Sequence, residues 1–583
     1  MSRRINLPDV WGQGQIFAFS GLEGECRYGE NLCGTLMADC LGIEFRNLSD
    51  KEKRVFFAVL LKGVYNIYYK CVTSDMIIAD IKDKNGDVYG LDIFFVNQNT
   101  FVLKAKKPLD ANLFFDHSVI TEEKGNATVY RSGEDIFSVA KRCIGDNISV
   151  AVSYGNNAES SAIKALDTDC DALKISRIKF YEDLPRPAFK DVNEEKLYYK
   201  CYSVLRSTVY SPSGKMHYHS LTPNRFPHRG VWLWDTAFLI TGFKYISYDI
   251  AKQAVRSILE CSRDDGFLPH MTTPTWQSNI TQPPVLAWAA LHLYNFGKDS
   301  GFLSDTYDRL ERYIEWDMKN RDINGNGLPE WVVSDDPFCR CDESGMDNTP
   351  RFDGVDEMDC IDFASFLANE MRCLSEIAGI IGKTEKSEIW AERYQNIKEK
   401  INAYLWDEED GFYYDRKVSD GKFHKVKSVA SFIPLFAGIC DKEKAEKLVA
   451  HLKDPKEFAT AFPIPSVSAD DKTYHTRDMF RGTVWLNFNY LIETGLLEYG
   501  YIKEAEKLRQ KTVDTLKHWY LNDGVLYEFY DSLNEFSPSR LSRKGTPLWP
   551  YMPQIRYQSV RDFSWGACAV IEFLSANINE KGK

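Results

Sequence analysis

The hydrophobic period of this 583-residue chain changes at Leu184-Pro185-Arg186-Pro187, and that change limits what it can fold into. Before it, apolar residues alternate: Ile148, Val150, Val152 and Tyr154 are separated by Ser149, Ala151 and Ser153, as in a strand with one buried face. Residues 77–81 and 88–95 flank Asn85-Gly86, a pair suited to the positive backbone angles of a tight hairpin. The two prolines lack an amide donor and push their predecessors away from helical angles. After them apolar residues recur at three and four: Leu197, Tyr198, Tyr202 and Leu205, and later Phe363, Phe366, Leu367, Leu374, Ile377 and Ile381. The pattern predicts an N-terminal antiparallel β-sandwich over residues 1–185 and an all-α domain over residues 186–583.

Within the second domain the helical period predicts twelve segments, near 192–208, 234–246, 248–262, 282–298, 303–320, 359–381, 385–405, 426–438, 441–452, 483–497, 501–518 and 560–576. Twelve helices in sequential hairpins fit a closed double ring of six inner and six outer helices, an (α/α)6 barrel; an irregular helical bundle satisfies the same count. The loops at 321–358 and 519–559 are too long to be mere connections.

Composition narrows the partners. A net charge of -12 without any Lys/Arg-rich run argues against nucleic acid, because neutralising phosphates needs clustered cations. No apolar run approaches the ~20 residues that span a bilayer, and the segment from Met1 to Val10 lacks the apolar middle of a secretory signal, so a cytoplasmic location is expected. The 14 cysteines are scattered, and the pair Cys339 and Cys341 lacks zinc-site spacing; buried free thiols are expected. With 31 Tyr, 35 Phe and 13 Trp the chain is rich in flat faces that stack on sugar rings, and a small carbohydrate is the natural ligand for an acidic, aromatic protein.

Glycosidic cleavage needs two carboxyl groups, one protonated to donate to the leaving oxygen and one ionised on the other face of the sugar. The first long loop offers Asp335, Asp336, Asp342, Glu343, Asp347 and Asp353; the second offers Asp523, Glu528, Asp531 and Glu535. Spacing does not choose among them, and surface loops are commonly acidic for solubility alone.

Glu343-Ser344-Gly345-Met346-Asp347-Asn348-Thr349-Pro350-Arg351 resembles the signature loop of glycoside hydrolase family 63 and its bacterial α-glycosidase relatives, and is similar to the corresponding loop of trehalases. Further landmarks stand in family order: His228-Arg229-Gly230-Val231-Trp232-Leu233-Trp234-Asp235, Gly266-Phe267-Leu268-Pro269-His270, Thr281-Gln282-Pro283-Pro284, Arg481-Gly482-Thr483-Val484-Trp485-Leu486-Asn487, Tyr527-Glu528-Phe529-Tyr530-Asp531 and Phe563-Ser564-Trp565. The resemblance implies an inverting enzyme on an (α/α)6 barrel, with Asp347 as general acid and Glu528 as general base. It places Trp234 and Asp235 at the floor beneath the sugar, the indole stacking on the ring and the carboxylate accepting sugar hydroxyls, and makes Arg229, His270, Gln282, Glu343, Arg481, Trp485 and Trp565 candidates for further contacts. Trp232 and Trp565 could equally be core aromatics, and His270 could bind a hydroxyl or fix a loop. Inversion implies carboxyl groups about 6.5–9.5 Å apart. A general acid must hold a proton near neutral pH, so the Asp347 pKa is expected to be raised by burial or by Glu343, while Glu528 stays ionised.

The implied reaction is that of an α-glucosidase acting on a small oligosaccharide or glucoside, including a disaccharide or a sugar-acid conjugate. Alternatives on the same barrel are a trehalase, an α-mannosidase, a sugar-acid glycoside hydrolase and an α-L-rhamnosidase; Met346 replaces the tryptophan usual in trehalases. A non-catalytic carbohydrate-binding protein is the remaining alternative. No cofactor is required. Asp322, Asn324 and Asn326 alternate before Gly327 like the opening of a calcium loop, but Val333 stands where an EF-hand has glutamate; a structural calcium and a turn held by side-chain hydrogen bonds are both open.

Overall fold

The computed structural model describes residues 5–580 apart from 39, 62, 64, 107, 108, 337, 338 and 545–557, so part of the predicted 519–559 loop lies outside the described residues. The N-terminal region forms two antiparallel sheets. Five strands, Ile16–Ala18, Cys33–Leu36, Gly42–Phe45, Val55–Leu60 and Asp110–Phe115, face a sheet of eight that includes Met76–Asp83, Val88–Asn97 and Asn147–Tyr154. Phe17, Phe57, Ile77, Ile93, Phe101, Val150 and Val152 meet in one core drawn from both sheets. The expected hairpin is present: Met76–Asp83 pairs with Val88–Asn97, and Asp83 Oδ1 accepts from the amides of Asn85 (2.9 Å) and Asp87 (3.1 Å) around Gly86 at φ 90°.

Two helices not expected from sequence, Ala158–Ala165 and Cys170–Asp183, follow the last of these strands. Ala162, Ala165, Leu166 and Cys170 pack with Phe94, Val102 and Ala151, the outward face of the eight-stranded sheet. Both faces of that sheet are therefore apolar where the helices lie, and Asp169 starts the second helix by accepting from Ala172 N at 3.0 Å.

Beyond the prolines a helix stands in each of the twelve predicted segments. The largest departure is at 426–438, where a 3-10 turn, Val429–Phe432, leads into a four-residue helix, Ile433–Phe436, that Gly438 follows at φ 66°. Leu233–Phe243, Leu286–Gly297, Ile361–Ile380, Ile433–Phe436, Leu486–Glu498 and Ser564–Glu580 each pack on the next, and the last packs on the first, closing a ring. Between them in sequence come amphipathic helices such as Tyr248–Leu259, Ser300–Asn320 and Thr384–Tyr404, which turn one apolar face to the shared core.

Buried charges join the two regions. Lys200 on the helix Val192–Ser207 pairs with Asp562 at 2.9 Å, and Asp562 also accepts from Ile16 N (3.0 Å) and Leu526 N (3.3 Å). Arg177 and Arg206 converge on Asp75, each at 2.9 Å. Removing one partner of such a pair strands a buried charge, at about 3–5 kcal/mol. The β-sheet region is thus fixed against the segment that carries Glu528.

Candidate active site

Five side chains of the predicted site stand within four residues of the start of a ring helix: Trp234 and Asp235 in Leu233–Phe243, Gln282 before Leu286–Gly297, Trp485 before Leu486–Glu498, and Trp565 in Ser564–Glu580. The acid loop precedes a further ring helix, Ile361–Ile380. It makes a 3-10 turn at Asp342–Ser344 and then bends at Gly345, φ 67°, where a Cβ would lie 3.3 Å from the Trp234 indole. Arg351 anchors its far end: the buried guanidinium forks onto Asp362 (2.8 and 2.9 Å) and Asp415 (2.8 and 2.7 Å). Glu528 immediately precedes the strand Phe529–Asp531, which pairs with Thr483–Trp485, and its amide donates to Val560 O at 2.9 Å.

These elements enclose a cavity of ≈ 660 Å³ lined by Asp235, Asp342, Asp347 and Glu528 together with His228, His270, Arg543 and Lys544, over Trp232, Trp234, Trp485 and Trp565. Lys544 Nζ lies 2.8 Å from Asp347 Oδ2 and donates to Cys339 Sγ at 3.1 Å. Arg543 donates to both oxygens of Glu528 at 3.3 Å and approaches His228 Nε2 at 3.2 Å. The indole N–H of Trp565 is buried without a hydrogen bond of good geometry, and it approaches Asp235 and pulls that carboxyl's pKa down against burial. Cys339, Asp342 and Asp347 place ligating atoms within 4.8 Å of one another, as do Cys360, Asp362 and Asp415. Lys544 and Arg351 already supply positive charge at these two groups.

The charges sort the carboxyl groups. Burial, reinforced by the charge of Glu528, pushes Asp235 well above the usual carboxylate range. Burial and the charge of Asp347 raise Asp342. Asp347 moves the other way: burial pushes it up, but the adjacent Lys544 ammonium, with help from Arg543, outweighs that and holds it below its ordinary value. Burial lowers His270 to about 4 although Asp347 opposes this, so its imidazole is neutral near pH 7.

Residues 228–535, more than half of the chain, match the family model described as the mannosylglycerate hydrolase MGH1-like glycoside hydrolase domain. The chain belongs to this glycoside hydrolase family. It is 24% identical over 398 residues to the mannosylglycerate hydrolase of Rubrobacter radiotolerans, covering 53% of this chain and 86% of that one. The crystal structure of the GH63 mannosylglycerate hydrolase from Thermus thermophilus with glucose superposes with a TM-score of 0.52 at 23% identity, over 64% of this chain and 99% of that one. A bacterial glucoamylase complexed with acarbose reaches a TM-score of 0.61 at 12% identity over 99% of this chain and 95% of that one, a likeness of fold that includes the β-sheet region. Matched relatives are spanned to differing extents, from 28% to 88% of their own length, with about half (52%) in one case.

In this glycoside hydrolase, Asp347, Glu528, Trp234, Asp235, His270, Gln282, Trp485 and Trp565 all line the cavity. Trp234 is only 1% exposed, held edge-on by Phe238, Phe366, Phe488 and Trp565, so it underlies the floor and offers no open stacking face. Gln282 Oε1 accepts from Trp234 N at 3.1 Å, and His270 Nδ1 bonds Ser278 Oγ at 2.6 Å, which fixes its ring. Arg229, Glu343 and Arg481 are not among the lining residues. The two oxygens of Glu343 are gripped by Arg321 at 2.5 and 3.1 Å and also accept from the amides of Thr281 and Val332, both at 3.3 Å. Arg481 pairs with Asp353 (2.6 Å) and donates to Asn348 O (2.8 Å), bracing the residue after Asp347. The expectation that Asp347 is raised by burial or by Glu343 is therefore corrected: Glu343 is neutralised by Arg321, and Lys544 sets the direction.

The other loop acids have structural partners or face solvent. Asp531 is buried and accepts from the amides of Leu533, Glu535 and Phe536; Asp523 accepts from Tyr527 and Ser537; Glu535 pairs with Arg477; Asp335 and Asp336 are exposed. Arg543, Lys544 and His228 line the cavity without having been singled out from sequence. The available signal was the adjacent Arg-Lys pair in a loop already too long for a connection. In the 322–327 turn, Asp322 Oδ2 accepts from Gly327 N (3.1 Å), Asn324 Oδ1 from Asn326 N (2.9 Å), and the Nδ2 groups of Asn324 and Asn326 both donate to Asp359 Oδ1 (3.0 Å).

Proposed function

We propose that this chain is an inverting α-glycosidase on an (α/α)6 barrel that cleaves a small glycoside whose leaving group carries a carboxylate, a sugar-acid glycoside of the mannosylglycerate or glucosylglycerate class. The carrying observation is one cavity that presents carboxyl groups from two loops beside the cations Lys544 and Arg543. The closed ring of six buried helices supports the barrel, and the name of the Rubrobacter relative supports the sugar-acid substrate.

In this reading Asp347 gives its proton to the leaving oxygen while Glu528 takes one from a water that attacks the anomeric carbon from the opposite face. Asp235, protonated by burial, donates to or accepts from sugar hydroxyls. A substrate carboxylate seated on Lys544 would draw the ammonium from Asp347 and let that group take up the proton it must transfer. The test is ¹H NMR of early turnover on α-glucosyl- and α-mannosylglycerate beside neutral aryl α-glycosides. Sugar acids should be preferred, and the first free sugar should be the β-anomer. An α-anomer as first product, or preference for neutral glycosides, would overturn it.

We also propose a structural calcium ion held by Asp322, Asn324 and Asn326 with Glu330 and Asp359. Asp322 Oδ1 and Asp359 Oδ2 are buried without a partner, and burial, with the charges of Asp359 and Asp322, lifts Glu330 to about 7. Carboxylate and carboxamide oxygens are the donor type that a hard cation takes. The fourteen cysteines are all unpaired, which supports the reducing, cytoplasmic location; no helix among the described residues is long and apolar enough to cross a membrane.

A further inference from the structure

Away from the catalytic cavity, the helices Lys442–Lys453 and Ile502–Asp523 and the segment 459–464 enclose a second cavity of ≈ 280 Å³. Its inner wall is apolar, with Val449, Leu496, Leu508 and Ile464 all buried. Its rim is cationic. Lys503, Lys507 and Lys511 are spaced by four residues on one helix and so share a face, and Lys453 joins them from the facing helix. One carboxylate, Glu504, stands among the four lysines, 3.4 Å from Lys453. Among the described residues Lys503 and Lys507 have neither an ion pair nor a hydrogen bond, while Lys511 reaches only the carbonyls of Thr460 (3.4 Å) and Ala461 (3.2 Å).

A solvated lysine face is ordinary on a helix, but three further observations set this one apart. It borders an apolar hollow; it lies on a protein of net charge -12; and burial together with the neighbouring Lys507 charge lowers the Lys511 pKa, so Lys507 and Lys511 repel each other. The wall is also strained: Ile464, a β-branched residue, is held at φ 67°, a conformation seldom kept by such residues outside sites of function.

We propose that this cavity is a binding site for a small amphipathic anion, an apolar body of several carbons ending in a carboxylate or phosphate. The apolar part would lie on Val449, Leu452, Leu496 and Leu508, and the head would bridge Lys507 and Lys511. A volume of ≈ 280 Å³, roughly nine waters at ~30 Å³ each, suits a ligand of that size.

Titration calorimetry and ligand-observed NMR on the full chain test it, with octanoate and octyl phosphate as probes and acetate, inorganic phosphate and 1-octanol as controls. Octanoate, octyl phosphate or both should bind saturably at one site, with every control at least about tenfold weaker. The exposed substitution Lys507→Glu, and separately Lys511→Gln, whose amide can still donate to the Thr460 and Ala461 carbonyls, should weaken binding by about tenfold or more, the equivalent of ~1.4 kcal/mol per lost charge contact, with the melting midpoint and glycosidase activity unchanged. Binding of 1-octanol as tight as that of octanoate would reduce the site to an apolar hollow, and equal binding of acetate or phosphate would reduce it to surface cations. Either result, retained affinity in both variants, or no saturable binding of either probe would overturn the proposal.

Discussion

Replacing Lys544 by methionine removes the ammonium 2.8 Å from Asp347 while keeping a chain of similar length. At that separation two unit charges attract by about 1.5 kcal/mol in a water-like medium and about 6 kcal/mol at an effective dielectric of ~20. Lys544 is 30% and Asp347 18% exposed, so screening favours the lower part of that range, about 1.5–3 kcal/mol. Lys544 holds the Asp347 pKa down, hence its loss must raise it. A general acid works only when protonated, so the alkaline limb of kcat/KM against pH should move upward for a neutral aryl α-glycoside. For a sugar-acid glycoside the same variant should lose affinity, because the carboxylate has lost its partner. An alkaline limb that stays in place or moves down on the neutral substrate would refute the reasoning, since Lys544 would then not control Asp347.

Asp347→Asn and Glu528→Gln should each lower turnover by about 100- to 10,000-fold with the melting midpoint retained; near-native activity in a folded variant removes that residue from its role. Arg351→Met should destabilise the protein by about 3–5 kcal/mol in urea unfolding, because Asp362 and Asp415 are left buried and unpaired; a loss below about 1 kcal/mol would show that the acid loop does not depend on it. Calcium at about a hundredfold above its Kd should add about 2.7 kcal/mol to stability, and a chelator should remove it. Glu330 is raised from 4.5 to about 7, so without the ion the folded state binds more protons than the unfolded chain in that window and stability falls as pH rises through it. Calcium should flatten this dependence; an unchanged slope would count against the site.

What could be read from sequence was whatever depends on neighbours in the chain. Twelve helices follow from a period of three to four over long segments, and the 85–86 hairpin from one dipeptide. The helices at 158–165 and 170–183 escaped because they were assigned to the alternating region before them, although Asp169 is a recognisable start signal. Glu343 and Arg481 were assigned to substrate because a loop charge looks available until its partner is known. Those partners are Arg321, 22 residues earlier, and Asp353, 128 residues away. Direction of the Asp347 shift was hidden for the same reason: Lys544 follows it by nearly two hundred residues and meets it only in the folded cavity.

The position of Lys544 joins recognition to catalysis. Three carboxyl groups, Asp235, Asp342 and Asp347, line one cavity with Glu528, and burial alone would drive protons onto them indiscriminately. Asp235, near the start of a ring helix, ends up raised because its burial and the charge of Glu528 exceed what the positive end of that helix can offset. Asp347 is the one of the three held ionised, by a cation that a substrate carboxylate can claim. A neutral glycoside leaves that cation in place and meets an acid lacking its proton, whereas a sugar-acid glycoside both binds to it and releases the acid. Selectivity should therefore appear in kcat as well as in KM, and in the Lys544→Met variant the kcat difference between the two substrate classes should shrink.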